Sequence, residues 1–202
     1  MRSIPLSRAA LGIATLLSLA LAFLVLAFAR PAGASLVVAL DMPTMVQRAD
    51  HIAVVDVGKV SMAWDDSHEH ILTTIELTVI ETMKGPLKPA EHLKLVQPGG
   101  TVGDISMKVY GMTPFSTGER ALVFLRGAPG GASVVGMSQG KRAIRRDATT
   151  GSWLVHVPDQ AGASFVRTTP ATTTLPIFEM RARPLDQLRA EIQTLVGKAI
   201  AK

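Results

Sequence analysis

The stretch I-L-T-T-I-E-L-T-V-I-E-T-M, residues 71–83, carries the clearest structural signal in this chain of 202 residues. Successive side chains of a β-strand point to opposite faces, so residues two apart share a face. One face of this stretch is apolar, at Ile71, Ile75, Leu77 and Val79. The other face carries Thr74, Glu76 and Thr78. The alternation predicts a strand with one buried face and one polar face.

The residues before this stretch predict its partner strand. Residues 52–64 are rich in β-branched side chains, which favour strands. Their alternation changes phase near Gly58, which indicates a β-bulge. The polar loop 65–70 separates the two runs, so we expect an antiparallel hairpin.

The rest of the chain adds a short helix and more strands. Asp41 is placed to cap a helix over residues 43–49, with Pro43 in its first turn. The run 121–125 is almost wholly apolar, which favours a strand buried on both faces. Further short strands are predicted near residues 93–95, 105–109, 134–138, 141–146 and 152–157. We therefore predict a mainly β domain, an antiparallel barrel or sandwich of seven or eight strands.

The C-terminal region predicts a linker followed by a helix. Residues 167–183 are rich in Thr and Pro and favour an extended linker after a β domain that spans residues 35–166. Residues 184–202 predict an amphipathic helix that Pro184 begins. Its apolar stripe consists of Leu185, Leu188, Ile192, Leu195, Val196 and Ile200. We expect this stripe to pack on the sheet; the alternatives are a membrane surface or a partner helix.

The first 34 residues have the order of a secretory signal. Arg2 and Arg8 precede an uncharged run over residues 9–29, and small residues follow. Cleavage is expected between Ala34 and Ser35. The run also has the length of a membrane span, which needs about 20 residues, so an uncleaved inner-membrane anchor is the alternative. Both interpretations predict an exported protein, periplasmic or extracellular.

Composition excludes several classes of protein. The chain has no cysteine, so it forms no disulfide and has no cysteine nucleophile or cysteine-based zinc site. Without the signal segment, 18 basic residues face 16 acidic ones, which argues against nucleic-acid binding. Residues 35–140 are net acidic and residues 141–202 are net basic. We expect the two halves to attract each other within one fold; an anion-binding surface is the alternative.

Four motifs together resemble a known family. They are A-D-H-I-A-V-V-D-V-G-K-V (49–60), I-E-L-T-V-I-E-T-M-K-G-P (75–86), G-G-T-V (99–102) and F-S-T-G-E-R-A-L-V-F-L (115–125). In this order they resemble exported bacterial proteins of uncharacterised function and, more distantly, netrin-like domains, which include the tissue inhibitors of metalloproteinases. The resemblance implies an OB-type β-barrel with flanking helices, and a binding role. The cysteine by which those inhibitors bind a protease's zinc is missing, so that mechanism does not carry over.

The densest polar cluster is W-D-D-S-H-E-H, residues 64–70. His68 and His70 would share a side of an extended chain, and Asp65 or Asp66 could add an oxygen ligand. These residues predict a zinc or copper site on Asp66, His68 and His70. The competing interpretation is a solvated hairpin tip, because two histidines do not complete a four-ligand site.

Two groups of charged residues are candidate binding residues. Glu119 and Arg120 begin the apolar strand, where they form either structural ion pairs or a recognition site at the rim. Lys141, Arg142, Arg145 and Arg146 form a basic cluster. Its partner is a protein, an anionic envelope component or the chain's own acidic half.

No catalytic motif emerges. Asp104, Ser106 and His156 could be written as a triad, but no G-x-S-x-G elbow accompanies them. We therefore predict an exported, non-catalytic binding domain without a cofactor. The alternatives are a metal-binding protein that uses the 65–70 cluster and, third, a hydrolase.

Overall fold

The structure is a computed structural model that describes residues 36–128, 131–156, 164–166 and 182–200, with side chains over 39–128, 131–156 and 182–199. All of these residues belong to one compact unit, Ala34–Lys202. The predicted signal segment and most of the predicted linker lie outside the described residues.

The described residues contain short and long strands and two α-helices. In chain order they are β1 (Leu36–Val38), α1 (Met42–Arg48), β2 (His51–Trp64), β3 (Ile71–Lys84), β4 (His92–Pro98), β5 (Gly100–Val102), β6 (Ile105–Met107), β7 (Arg120–Arg126), β8 (Ser133–Val134), a 3-10 turn (Met137–Gly140), β9 (Lys141–Arg146), β10 (Trp153–Val155), β11 (Ser164–Val166), β12 (Arg183–Pro184) and α2 (Leu185–Ile200). β1 and β11 pair in parallel as a separate two-stranded sheet.

The main sheet has eight strands in the order β12-β10-β9-β7-β2-β3-β4, with β8 paired to the end of β7. All of its pairs are antiparallel. The prediction of a mainly β fold with a short N-terminal helix and a C-terminal helix is confirmed. The sheet is open, because β12 and β4 stand at its two ends and do not pair with each other.

Strands β2 and β7 lie side by side inside this sheet. Ala53 is opposite Val123 and Val54 is opposite Leu122, and all four side chains are buried. Alternation sends Val54 and Leu122 into one core and Ala53 and Val123 into another. Each face of the sheet therefore has its own apolar core, and the apolar run 121–125 contributes to both.

The two helices cover one face. Met45 and Val46 of α1 and Leu188 and Ile192 of α2 are buried in the same core as Phe124. The carboxylate of Asp41 accepts a hydrogen bond from the Thr44 amide at 2.8 Å and caps α1, as its sequence predicts. Among the residues that the structure describes, no helix has both the length and the apolar character to cross a membrane.

The opposite face is buried by strands and a loop. Ile75 and Leu77 of β3, and Leu93 and Leu95 of β4, pack with Phe115 from the loop before β7. Three of the four residues of the apolar face predicted for residues 71–83, Ile75, Leu77 and Val79, fill this core. The predicted bulge in β2 is present, because Val57 is opposite Leu77 while Val60 is opposite Ile75, two residues against one.

Two predicted strands differ from the structure. The run 134–138 is a strand only as far as Val134; Gly136 is left-handed (φ 65°) and the 3-10 turn Met137–Gly140 follows. The predicted strand near 105–109 is β6, which pairs with β5 in a small separate hairpin and does not join the main sheet. Gly99 and Gly100, both with positive φ, turn the chain out of β4 and into that hairpin.

The burial of α2 gives a direct test of the helix-covered core. We expect Leu188→Ala to lower the free energy of unfolding by about 3 kcal/mol, because it leaves a cavity among buried aliphatic side chains. Gln193→Ala, on the exposed side of the same helix, is the control and should change the free energy by less than about 0.5 kcal/mol. Urea denaturation followed by circular dichroism measures both; equal effects would show that α2 does not pack as described.

Candidate binding surface

Arg120, at the start of β7, lies between a carboxylate and an aromatic ring. Its Nε and Nη2 donate to the two carboxylate oxygens of Asp56, at 2.6 and 2.8 Å. Its guanidinium carbon lies 5.0 Å from the centre of the Trp153 ring. Antiparallel pairing explains the first contact, because Asp56 is directly opposite Arg120 in the β2–β7 ladder. Arg120 thus joins β2, β7 and β10 at one point.

The ion pair fixes the charges of both partners. The hydrogen bonds from Arg120 hold the pKa of Asp56 below its ordinary value, and those bonds raise the pKa of Arg120 further. The side chains of Arg120 and Asp56 are 31% and 42% exposed, so solvent screens the attraction and the pair contributes about 1 kcal/mol at most. What the pair mainly does is orient the guanidinium under the indole.

Trp153 is 41% exposed, although one side of its ring faces Arg120. Arg146 is directly opposite Trp153 in the β9–β10 ladder, and its Nε donates to the Gly151 carbonyl at 3.1 Å. Arg145 is exposed beside it on the other face of the strand. Within the described residues, neither Arg145 nor Arg146 has a carboxylate within ion-pair distance. Arg145 pairs with Leu154 and so points away from Trp153. We call Arg120, Arg146 and Trp153, which share one face of the sheet, the arginine–tryptophan surface.

Lys141 and Glu119 have a different role from that surface. Lys141 is 8% exposed; its Nζ lies 2.7 Å from Glu119 Oε1 and donates to the Pro114 carbonyl at 2.6 Å. The same nitrogen lies 4.9 Å from the centre of the Phe115 ring. Glu119 also accepts a hydrogen bond from the Ser116 amide at 2.8 Å. This pair fixes the loop that contributes Phe115 to the second core, so its evident role is structural.

Arg142 lies in the chain between the buried Lys141 and the exposed Arg145 and Arg146. It is half-buried and lies opposite Leu122 in the β7–β9 ladder. The basic cluster of the sequence is therefore split by the structure: Lys141 is buried, Arg142 is half-buried, and Arg145 and Arg146 are exposed.

The loop between β2 and β3 is organised by Asp65. Its Oδ1 accepts hydrogen bonds from the amides of Glu69 and His70, at 2.9 and 3.1 Å, and its Oδ2 lies 3.1 Å from His70 Nδ1. These bonds, the His70 amide first among them, lower the pKa of Asp65 to about 2. The carboxylate is thus used to order the loop.

The structure places Asp66, His68 and His70 as exposed residues of this loop, and His68 adopts a positive φ of 58°. Among the described residues, no group of three or more His, Asp or Glu side chains is arranged to hold a metal ion. Zinc or copper binding at this loop stays a prediction that a titration of the protein would test.

The three residues written as a triad are not joined by hydrogen bonds. Ser106 Oγ lies 3.1 Å from Thr101 Oγ1 within the β5–β6 hairpin. Asp104 is exposed in the turn of that hairpin. His156 follows β10, where its amide donates to the Ala143 carbonyl.

Sequence reasoning missed the contacts of Asp56. This residue is 64 positions from Arg120, and no local spacing pairs them. The contact could have been predicted from the pairing of β2 with β7, because a charged residue in each of two adjacent buried strands needs a partner. The chain matches no protein-family model and shows no significant sequence similarity to any curated protein.

The role of Lys141 can be tested by substitution. We expect Lys141→Met to lower the free energy of unfolding by about 2 kcal/mol, because Glu119 and the Pro114 carbonyl lose a charged donor in a mostly buried place. Arg145→Met on the same strand is the control, with a change below about 0.5 kcal/mol. Thermal and urea unfolding measure both, and equal stability of the two variants would contradict a structural role for Lys141.

The loop carboxylate predicts a specific acid titration. Because the pKa of Asp65 is lowered from 3.8 to about 2, its contribution to loop order is complete above pH 3.8 and is lost as the pH falls through about 2. The amide resonances of Glu69 and His70 should therefore titrate near pH 2 by NMR. Asp65→Asn should remove that transition, and a midpoint near 4 in the unmodified protein would contradict the assignment.

Proposed function

We propose that this chain is an exported, non-catalytic domain that binds an acidic partner, a protein or an anionic envelope component, through the arginine–tryptophan surface. One observation carries the proposal. Arg146 stays exposed without a carboxylate partner among the described residues, directly opposite a tryptophan that is 41% exposed. Tryptophan and arginine are the residues that most often dominate binding energy at protein interfaces.

The chemistry of this surface favours an anionic partner. A guanidinium presents a planar fork of donors that matches a carboxylate or a phosphate. Arg120 is already bonded to both oxygens of Asp56, and Arg146 Nε donates to the Gly151 carbonyl, so the donors left for a partner on this face are the terminal nitrogens of Arg146. The indole of Trp153 adds apolar area that loses little conformational entropy on binding, and Arg120 fixes one side of its ring.

Strand pairing fixes the backbone that carries this surface. Arg146 ends β9 and pairs with Trp153 of β10, two residues beyond Ile144, where β9 also pairs with β7. Side chains on strands are held more precisely than side chains on loops. The arrangement suits a preformed surface that binds without a large rearrangement.

The N-terminal sequence supports export. A basic start, an apolar run over residues 9–29 and small residues before Ser35 precede the folded part. The compact unit begins at Ala34, next to the expected cleavage point. The distant netrin-like resemblance agrees with a periplasmic or extracellular binding domain, which is tethered by residues 9–29 if the segment is kept.

The test compares charge reversal at this surface with the same reversal elsewhere. The compact unit carrying Arg146→Glu is immobilised and used to capture components of envelope extract, beside the unmodified unit. We expect this variant to capture at least tenfold less of any specific partner, since a lost charge-assisted contact weakens binding by about 1–3 kcal/mol and the new carboxylate repels an acidic partner.

Arg145→Glu is the matched control, because Arg145 is exposed on the same strand, points to the opposite face and gives the same change in net charge. Capture should be close to that of the unmodified unit. If both variants lose capture equally, the effect is one of net charge and the proposed surface is wrong. Turnover of a substrate by the unit would contradict its non-catalytic character.

A further inference from the structure

A row of polar side chains crosses the sheet next to the arginine–tryptophan surface. Arg120 of β7 is directly opposite Asp56 of β2, and Asp56 is opposite Thr78 of β3. Thr78 is in turn opposite His92 of β4, and its Oγ1 lies 3.2 Å from His92 Nδ1. Directly opposite residues share a face, so the row lies on the face that carries Trp153. We call Arg120, Asp56, Thr78 and His92 the polar row; all four are half-buried or exposed.

Asp56 gives the polar row an exposed hydrogen-bond acceptor. Each of its two carboxylate oxygens accepts one hydrogen bond from Arg120 and keeps a second lone pair. The side chain is 42% exposed and has no other partner among the residues that the structure describes. A ligand that offered only negative charge would be repelled by this carboxylate, whereas hydroxyl groups of a ligand would donate to it.

Trp153 and Arg146 add two further requirements at one end of the polar row. The indole is 41% exposed and offers an apolar ring surface. Arg146 Nε is used by the Gly151 carbonyl, so its terminal nitrogens remain to donate to an anionic group. The ligand therefore needs an apolar face, an anionic group and several neutral donors close together. A sugar ring that carries a carboxylate has all three, because its C–H groups form an apolar face and its hydroxyl groups surround the edge.

The charges farther along this face argue against recognition by charge alone. Glu76, two residues before Thr78, is directly opposite Lys94 of β4, and both side chains are exposed. A partner recognised only by negative charge would meet carboxylates at Asp56 and Glu76. The backbone positions of Asp56 and Trp153 are three strand spacings apart, about 14 Å at about 4.8 Å per strand. That distance exceeds the width of one sugar ring and matches a short chain of rings.

We propose that an acidic oligosaccharide, a short chain of sugar rings that carry carboxylates, binds across this face. One ring packs on the exposed part of Trp153 and its carboxylate accepts hydrogen bonds from Arg146. The hydroxyl groups of the following rings donate to Asp56 and bond to Thr78. The ion pair of Asp56 with Arg120 stays intact, because the ligand uses the remaining lone pairs. The inference rests on the proposed function, since it names the chemical class of the acidic partner for the same surface.

Isothermal titration calorimetry of the compact unit, Ala34–Lys202, tests the inference with matched probes. Oligogalacturonate and oligomannuronate, which differ in the orientation of their hydroxyl groups, are the acidic oligosaccharides. Their methyl esters keep the rings and hydroxyl groups without the charge, and polyglutamate of equal charge lacks the rings. We expect at least one of the two uronates to bind. Its methyl ester and polyglutamate should each bind at least tenfold more weakly.

Two variants separate the contacts. Trp153→Ala should weaken binding of the uronate and of its ester at least tenfold, because both probes keep the ring that packs on the indole. Arg146→Gln should lower the affinity for the uronate to about that for its ester and leave the ester unchanged, because the ester has no carboxylate to lose. Damage to the fold would weaken both probes together. Arg145→Gln, on the same strand and the opposite face, is the control and should bind as the unmodified unit does.

Failure of both uronates to bind would overturn the inference. Polyglutamate that binds as tightly as the uronate, or an equal loss of uronate and ester binding in Arg146→Gln, would also overturn it. If neither uronate binds while capture from envelope extract still depends on Arg146, this inference fails and the proposed function stands. If capture does not depend on Arg146, the proposed function itself fails.

Discussion

The pairing of β2 with β7 is the constraint on which the rest of the structure depends. Where they pair, at residues 51–55 of β2 and 121–125 of β7, both strands are buried on both faces, so their side chains supply the interior of two cores at once. Ala53 and Val123 fill the core closed by β3, β4 and Phe115, while Val54 and Leu122 fill the core covered by the helices. A slip of one residue in this ladder would exchange the two sets of side chains and mismatch both cores. The open sheet thus gains its register from burial on both sides.

The candidate surface follows from the same ladder. Asp56 and Arg120 are opposite each other at the end of the β2–β7 pairing. Both side chains are partly exposed there, so their charges do not carry the cost of full burial. Arg120 then reaches Trp153 on β10, and that strand is held by β9, which pairs with β7 in turn. The buried Lys141–Glu119 pair holds the neighbouring loop in place. The exposed binding residues are therefore carried by strands whose neighbouring charged side chains already form ion pairs, Asp56 with Arg120 and Glu119 with Lys141.

Much of the fold could be predicted because local pattern and burial agree. The two-residue period of residues 71–83, the phase change at Gly58 and the apolar run 121–125 correspond to a strand, a bulge and a doubly buried strand. The prediction of a strand over residues 134–138 was wrong beyond Val134, because Gly136 takes a left-handed conformation that hydrophobic pattern does not reveal. Residues 105–109 alternate as a strand, yet pattern alone could not show which strand β6 would pair with.

Less of the site could be predicted, because its contacts join distant residues. The sequence places Lys141 in one basic cluster with Arg145 and Arg146, but only the ladder shows that Lys141 turns inward to Glu119 and the two arginines remain outside. The same holds for Asp65, whose carboxylate looked like a candidate ligand and is used by the amides of its own loop. Charge type is visible in a sequence, whereas the group that satisfies the charge is set by tertiary structure.

Native-state hydrogen exchange measured by NMR tests the importance of the β2–β7 ladder most directly. Amides hydrogen-bonded between these two strands should be the slowest to exchange in the molecule and should open only with global unfolding, because both faces of the ladder are buried. The amides of β9, β10 and α2 should exchange faster, through openings that leave the ladder intact. Slowest exchange in β9–β10 or in α2, with early opening of β2 and β7, would contradict the account.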